Sequence, residues 1–127
     1  MIKYFLRGDD CLPNSDIFKR GTVELVVLAV LKRKDMYGYQ IVQEISNLSN
    51  GNFVLPLGTL YPVLYRFVES GLVSDHDEIV GKRLRKYCHL DEKGISYYYG
   101  LLEEYRKIEK GVNLITERCE NNSEQSE

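Results

Sequence analysis

The chain has 127 residues, 43% of them hydrophobic, with 17 basic and 19 acidic side chains for a formal charge of −2. That length buries one core, with room for an appended helix or tail. Glu117, Glu120, Glu124 and Glu127 crowd the end against Arg118, leaving 16 basic and 15 acidic groups in residues 1–115, which excludes a broadly basic nucleic-acid domain and confines any polyanion contact to local clusters.

Residues 1–14, with Gly8, Pro13 and Asn14, show no clear period and are expected to form an N-terminal arm. Ser15 or Asp16 can cap a first helix running to about Arg33, whose Ile17, Phe18, Val23, Leu25, Val26, Leu28, Ala29, Val30 and Leu31 are too apolar for a surface helix. Lys34-Asp35 reads as a turn. Tyr37 to Leu48 reads as a second helix with Tyr37, Ile41, Val42, Ile45 and Leu48 inward, and residues 49–52 as a loop. A third helix is expected to start near Thr59 as N-cap, with Pro62 in its first turn. Leu60, Val63, Leu64 and Phe67 form its apolar face, leaving Thr59, Tyr61, Tyr65 and Arg66 outward; it closes at Ser70-Gly71 with the glycine left-handed. An outward face of hydroxyls, rings and a guanidinium suits a DNA groove, although an ordinary surface helix has the same pattern.

Past Gly71 the period becomes alternating. Residues 72–80 and 84–90 read as two strands joined across Gly81-Lys82-Arg83. Three helices followed by a hairpin is a winged helix-turn-helix order. Lys82, Arg83, Arg85 and Lys86 at the tip and second strand fall where a wing meets phosphates. The last helix is expected from Asp91, an N-cap, past Leu114. Tyr98, Leu101, Tyr105, Ile108, Val112 and Ile115 recur at heptad spacing, a seam that calls for a second copy of the chain.

Other chemistries find no support. Cys11, Cys88 and Cys119 make no C-x-x-C pair, so no disulfide framework or zinc site is expected. Cys88 reads as a small buried hydrophobe rather than a redox sensor. No nucleotide, phosphate, zinc-protease or serine-hydrolase motif occurs, and His76 and His89 read as surface or structural residues. No catalytic residue, metal or cofactor is expected. The apolar run Leu25–Leu31 is too short for a membrane span and no signal peptide is evident, so a cytoplasmic protein is expected.

Arg20-Gly21-Thr22-x-Glu24, Tyr37-Gly38-Tyr39-x-Ile41, Gly58-Thr59-Leu60-Tyr61-Pro62-x-Leu64-x-Arg66, Glu69-x-Gly71-Leu72-Val73 and Gly81-Lys82-Arg83-x-Arg85-Lys86-Tyr87 together resemble the PadR-like transcriptional regulators, in order and spacing, over about residues 20–115. The chain departs from the usual pattern at Val80, Cys88 and Asp91. The resemblance implies a dimeric winged-helix repressor that binds palindromic double-stranded DNA, dimerises through its C-terminal helix and is released by a small molecule or stress signal. The expected fold is mainly α with a small β-hairpin: arm 1–14, winged helix-turn-helix domain 15–90, dimerisation helix 91–116 and disordered acidic tail 117–127. Candidate DNA-binding residues are Tyr37, Tyr39, Gln40, Thr59, Tyr61, Arg66, Lys82, Arg83 and Arg85. Candidate dimer and effector residues are Tyr98, Leu101, Tyr105, Ile108 and Val112, where tyrosines suit a small aromatic or cationic effector. The alternative is a winged-helix protein-interaction module without DNA binding.

Overall fold

In the computed structural model, which describes Lys19 and residues 21–125, the apolar run of the first helix becomes the centre of the molecule. Helix α1 spans Val23–Arg33 and buries Leu25, Val27, Leu28, Val30 and Leu31, positions that surround the helix rather than stripe it. Thr22 precedes it in a turn, its hydroxyl and N–H both bonded to the Lys19 carbonyl. The helix therefore starts afresh at Val23, and the expected unbroken run from Ser15 or Asp16 does not occur. The expected arm, residues 1–14, lies outside the described residues.

Met36–Tyr37 forms a short strand β1, where only a turn and a helix start were expected. Helix α2 follows as Gly38–Leu48, with Ile41 and Ile45 buried and Val42 packed against the core. Leu48, expected inward, is 56% exposed at the last position of the helix. Helix α3 spans Leu57–Glu69 and buries Leu60, Val63, Leu64 and Phe67, the face its spacing predicts. Its start differs: Pro56, extended, takes the N-cap position, and its carbonyl accepts the N–H groups of Thr59 and Leu60. Thr59 thus lies inside the first turn, and Pro62 falls at the sixth helical position. The helix bond Pro62 cannot make would end on the carbonyl of Gly58, an exposed residue that water can satisfy. At the other end Gly71 has φ +78, and Leu72 N–H donates to the Phe67 carbonyl, closing the helix as expected.

Strands β2 (Val73–Val80) and β3 (Arg83–Leu90) pair antiparallel across the two-residue loop Gly81-Lys82. Gly81 has φ +65, as the first position of a tight hairpin loop of this hand requires. The hairpin is part of a three-stranded sheet in the order β1-β3-β2, with Met36 opposite Cys88 and Tyr37 opposite Tyr87. Helix α4 runs Glu92–Gln125, 34 residues, or about 51 Å. Only its start packs on the domain, through Gly94, Ile95, Tyr98 and Leu101. It continues through residues 117–125, where a disordered tail was expected; no Gly or Pro interrupts it after Gly111, and its glutamates favour helix.

Asp91 occupies the position before α4. Its N–H donates to the Leu72 carbonyl, and its carboxylate accepts the Ser74 hydroxyl at 3.1 Å. Beside it, His89 Nδ1 lies 2.8 Å from Asp35 and Nε2 lies 3.9 Å from Asp91. The hydrogen bond to Asp35 is the main cause that raises the His89 pKa above 6.5, assisted by the charges of Asp35 and Asp91. A raised folded pKa stabilises the fold fully below the unfolded value, and the gain disappears as pH rises through the folded value. The wild type should therefore lose melting temperature between pH 6 and pH 8 relative to His89→Gln, by a small amount because His89 is half-exposed. Parallel pH profiles of the two proteins would remove His89 from the stability balance.

Candidate nucleic-acid interface

The residues expected to face DNA on α3 divide between two sides of the helix. Tyr61 and Tyr65, 53% and 60% exposed, line a groove of about 420 Å³ between α3 and the hairpin, with Asp75, Lys86 and Cys88 on its far wall. The Tyr61 ring lies against Gly38 at the start of α2, where a Cβ would stand 2.7 Å from its hydroxyl. The backbone of α2 thus approaches α3 closely enough to hold the phenol in place. Tyr65, placed on the outward face by its spacing but not named among the candidate DNA-binding residues, sits one turn beyond Tyr61 and presents the larger exposed surface. On α2, Tyr39 is 50% exposed and its hydroxyl accepts a hydrogen bond from Gln43 Nε2.

Thr59 and Arg66 lie on the other flank, lining an open cleft of about 960 Å³ with Glu24, Tyr105 and Ile108. Arg66 Nη2 pairs with Glu24 Oε2 at 3.2 Å, and the second carboxylate oxygen of Glu24 accepts the Tyr97 hydroxyl at 3.1 Å. One carboxylate on α1 thereby joins the recognition helix to α4. Partial burial first, and then the neighbouring Glu24, raise the Tyr97 pKa and keep the phenol a donor. The sequence reading of Arg66 as outward-pointing passed over this partner, which lies 42 residues away. Glu24 and Tyr97 were not singled out either, because neither spacing nor composition joins positions so far apart.

Gln40 and Tyr37 serve the fold as well as the surface. The Gln40 side-chain oxygen accepts the Tyr37 N–H at 3.2 Å, fixing the start of α2. The Tyr37 ring meets Tyr87 edge-on with centroids 5.3 Å apart, and the Arg85 guanidinium lies 4.7 Å above it. That stacking is a cation–π contact, and it leaves the buried Arg85 Nε without a hydrogen-bond partner among the described residues. Lys86 lies 3.6 Å from Asp77 and 4.0 Å from Asp75, so its charge is largely answered within the hairpin. Lys82 and Arg83, exposed at the hairpin tip, have no partner among the described residues. Of four clustered cations, these two are free for a polyanion.

Cys88 is 4% exposed, and burial, then the charge of Asp75, pushes its thiol up to about 11. A thiol so held stays protonated at neutral pH and reacts poorly. On α4 the seam residues separate into two groups. Tyr98 and Leu101 pack against the core. Tyr105, Ile108, Val112 and Ile115 are 40%, 61%, 51% and 63% exposed, an apolar row without cover in the single chain. No His, Cys, Asp or Glu cluster among the described residues could hold a metal ion. No helix among them is long and apolar enough to cross a membrane.

Three helices, a wing and a long projecting helix define the architecture of a winged-helix regulator of transcription. The sequence profile of the transcriptional regulator PadR-like family matches residues 27–99, and the chain belongs to that family. It is 32% identical over 107 residues to protein X of Lysinibacillus sphaericus, covering 84% of this chain and 97% of that protein. It is 36% identical over 102 residues to the transcriptional regulator YqjI of Escherichia coli, covering 80% of this chain but only 46% of that longer protein. A solved transcriptional regulator from Clostridium thermocellum superposes with a TM-score of 0.71 at 28% identity, over 76% of this chain and 95% of that one. The Escherichia coli and Clostridium thermocellum proteins are named as transcriptional regulators, and none of these likenesses favours the protein-interaction alternative.

Proposed function

We propose that the chain is a cytoplasmic, homodimeric, sequence-specific repressor that binds a palindromic operator in double-stranded DNA and is released by a small-molecule or stress signal. The observation that carries this reading is the placement of exposed Tyr61 and Tyr65 beside a hairpin whose tip cations have no partner among the described residues. In the proposed division of the chain, residues 15–90 read DNA and residues 91–116 associate. Tyr39, Tyr61 and Tyr65 meet base edges and sugars, while Lys82 and Arg83 meet phosphate. Arg66 and Gln40 act mainly by fixing helix positions. Two recognition helices related by a two-fold axis place half-sites about one helical turn, near 10 bp, apart.

Gel-shift titration against the promoter of the chain's own gene tests the reading. Lys82→Ala with Arg83→Ala should weaken all duplexes alike and lower the salt slope by roughly 0.9 per lost phosphate contact. Tyr61→Phe should lose preference for the promoter while sparing mixed-sequence DNA. Base preference that follows the hairpin changes and ignores the helix change would reverse the assignment.

The effector proposal places a planar aromatic or cationic compound between the α4 helices of the dimer, against Tyr98, Leu101, Tyr105, Ile108 and Val112. Displacement of α4 would act on α3 through Tyr97, Glu24 and Arg66, and only different affinities for the two dimer geometries can shift the equilibrium. Operator release that survives Tyr105→Ala and Tyr98→Ala would place the signal elsewhere.

A further inference from the structure

The hairpin carries an apolar pair that the fold does not use. Ile79 and Leu84 stand directly opposite each other in the β2–β3 register and are 76% and 68% exposed. Neither belongs to the core or to the side chains packed on it. Side chains alternate along a strand, so the pair shares a face with Asp77 and Lys86, and with Asp75 and Cys88 one step further in. That face is the wall of the groove opposite Tyr61 and Tyr65. The apolar pair therefore continues the wall outward from the recognition helix toward the tip, where Lys82 and Arg83 are unpaired among the described residues.

We propose that Ile79 and Leu84 pack on deoxyribose rings of the DNA strand that runs between the major groove entered by α3 and the minor groove beside the wing. The inference rests on the DNA-binding reading above. Charge favours a polyanion as the occupant: Lys86 lies 3.6 Å from Asp77 and 4.0 Å from Asp75, and with Lys82 and Arg83 at the tip three cations face these two acids. A stable protein partner covers about 800 Å² on each side, far more than two side chains on a two-stranded ribbon supply. A sugar is the right size. Its C2′ edge in DNA carries no hydroxyl, so an aliphatic contact strands no polar group, whereas the 2′-hydroxyl of RNA would lose a water partner there. Such contacts release no counterions, so they add affinity that salt does not remove.

The test is binding of a mixed-sequence DNA duplex and of the chain's own promoter, with salt varied from about 50 to 200 mM. The Ile79→Ser/Leu84→Ser variant should bind both about tenfold more weakly at every salt concentration, with an unchanged slope of log affinity against log salt. Lys82→Ala/Arg83→Ala should behave oppositely, with a shallower slope. Should the serine variant melt early, Ile79→Thr/Leu84→Thr keeps the strand preference and takes its place. Unchanged affinity or an altered slope overturns the inference, as does unchanged DNA affinity with lost self-association in sedimentation, which would assign the pair to a second copy. Wild-type protein that binds no duplex at low salt overturns the DNA-binding reading itself, a result distinct from any of these.

Discussion

Ile108→Asp should dissociate the proposed dimer and take promoter affinity with it. Ile108 is 61% exposed in the single chain, so the change removes no core contact and should leave the melting of the protomer nearly untouched. The same position is the middle of the apolar row on α4, beside the cleft shared by α1 and α3. A two-fold interface would meet the new carboxylate twice, each time without a counter-charge, at a cost of several kcal/mol. Self-association should weaken by more than about a hundredfold, since each 1.4 kcal/mol is a factor of ten. Tyr105→Ala should weaken it less, because it deletes contact area without burying charge. An intact dimer in sedimentation for Ile108→Asp would place the interface elsewhere. Monomers that kept full promoter affinity would sever DNA binding from association.

Gly94→Ala should cost the most stability of any glycine change in the described chain. A Cβ there would lie 2.2 Å from the Leu72 carbonyl oxygen and 2.5 Å from Leu90 Cδ1. Leu90 can turn aside, but Leu72 is fixed on both sides, its N–H bonded to Phe67 and its carbonyl to the Asp91 N–H. The start of α4 must lift away from the sheet, an overpacking cost of about 1–3 kcal/mol or more and a fall in melting temperature on the order of 10 °C. Gly100→Ala is the control: its added methyl meets nothing within 4 Å, and helix propensity predicts a gain of about 0.5–1 kcal/mol. Gly38→Ala differs again, since what it meets is the end of the Tyr61 side chain, which can move. It should disturb DNA recognition more than melting. Equal melting of Gly94→Ala and Gly100→Ala would contradict the seating of α4 on Leu72.

Much of this arrangement is legible along the chain. The spacing of Leu60, Val63, Leu64 and Phe67 predicts the buried face of α3, and Gly71 and Gly81 mark a helix end and a hairpin loop because each needs a positive φ that a Cβ resists. The heptad row on α4 is visible because periodicity is a local property. Misjudged boundaries share one cause. Thr59 is a good cap by type, but Pro56 presents its carbonyl three residues before that predicted cap. Met36–Tyr37 is a strand only because Cys88 and Tyr87 lie opposite, about fifty residues later in the chain.

By itself the sequence determined which stretches are helix and hairpin, which faces are apolar, where cations cluster and which family the chain resembles, since propensity, period and turn chemistry act over a few residues. Only the tertiary structure decided which of those cations and phenols remain free. Arg66 is answered by Glu24, Arg85 lies on Tyr37 and Lys86 is held by Asp75 and Asp77, whereas Lys82, Arg83, Tyr61 and Tyr65 keep exposed surface. The physical reason is that a charge or ring is available to a partner only if no neighbour has already satisfied it, and those neighbours are brought together by the packing of distant segments.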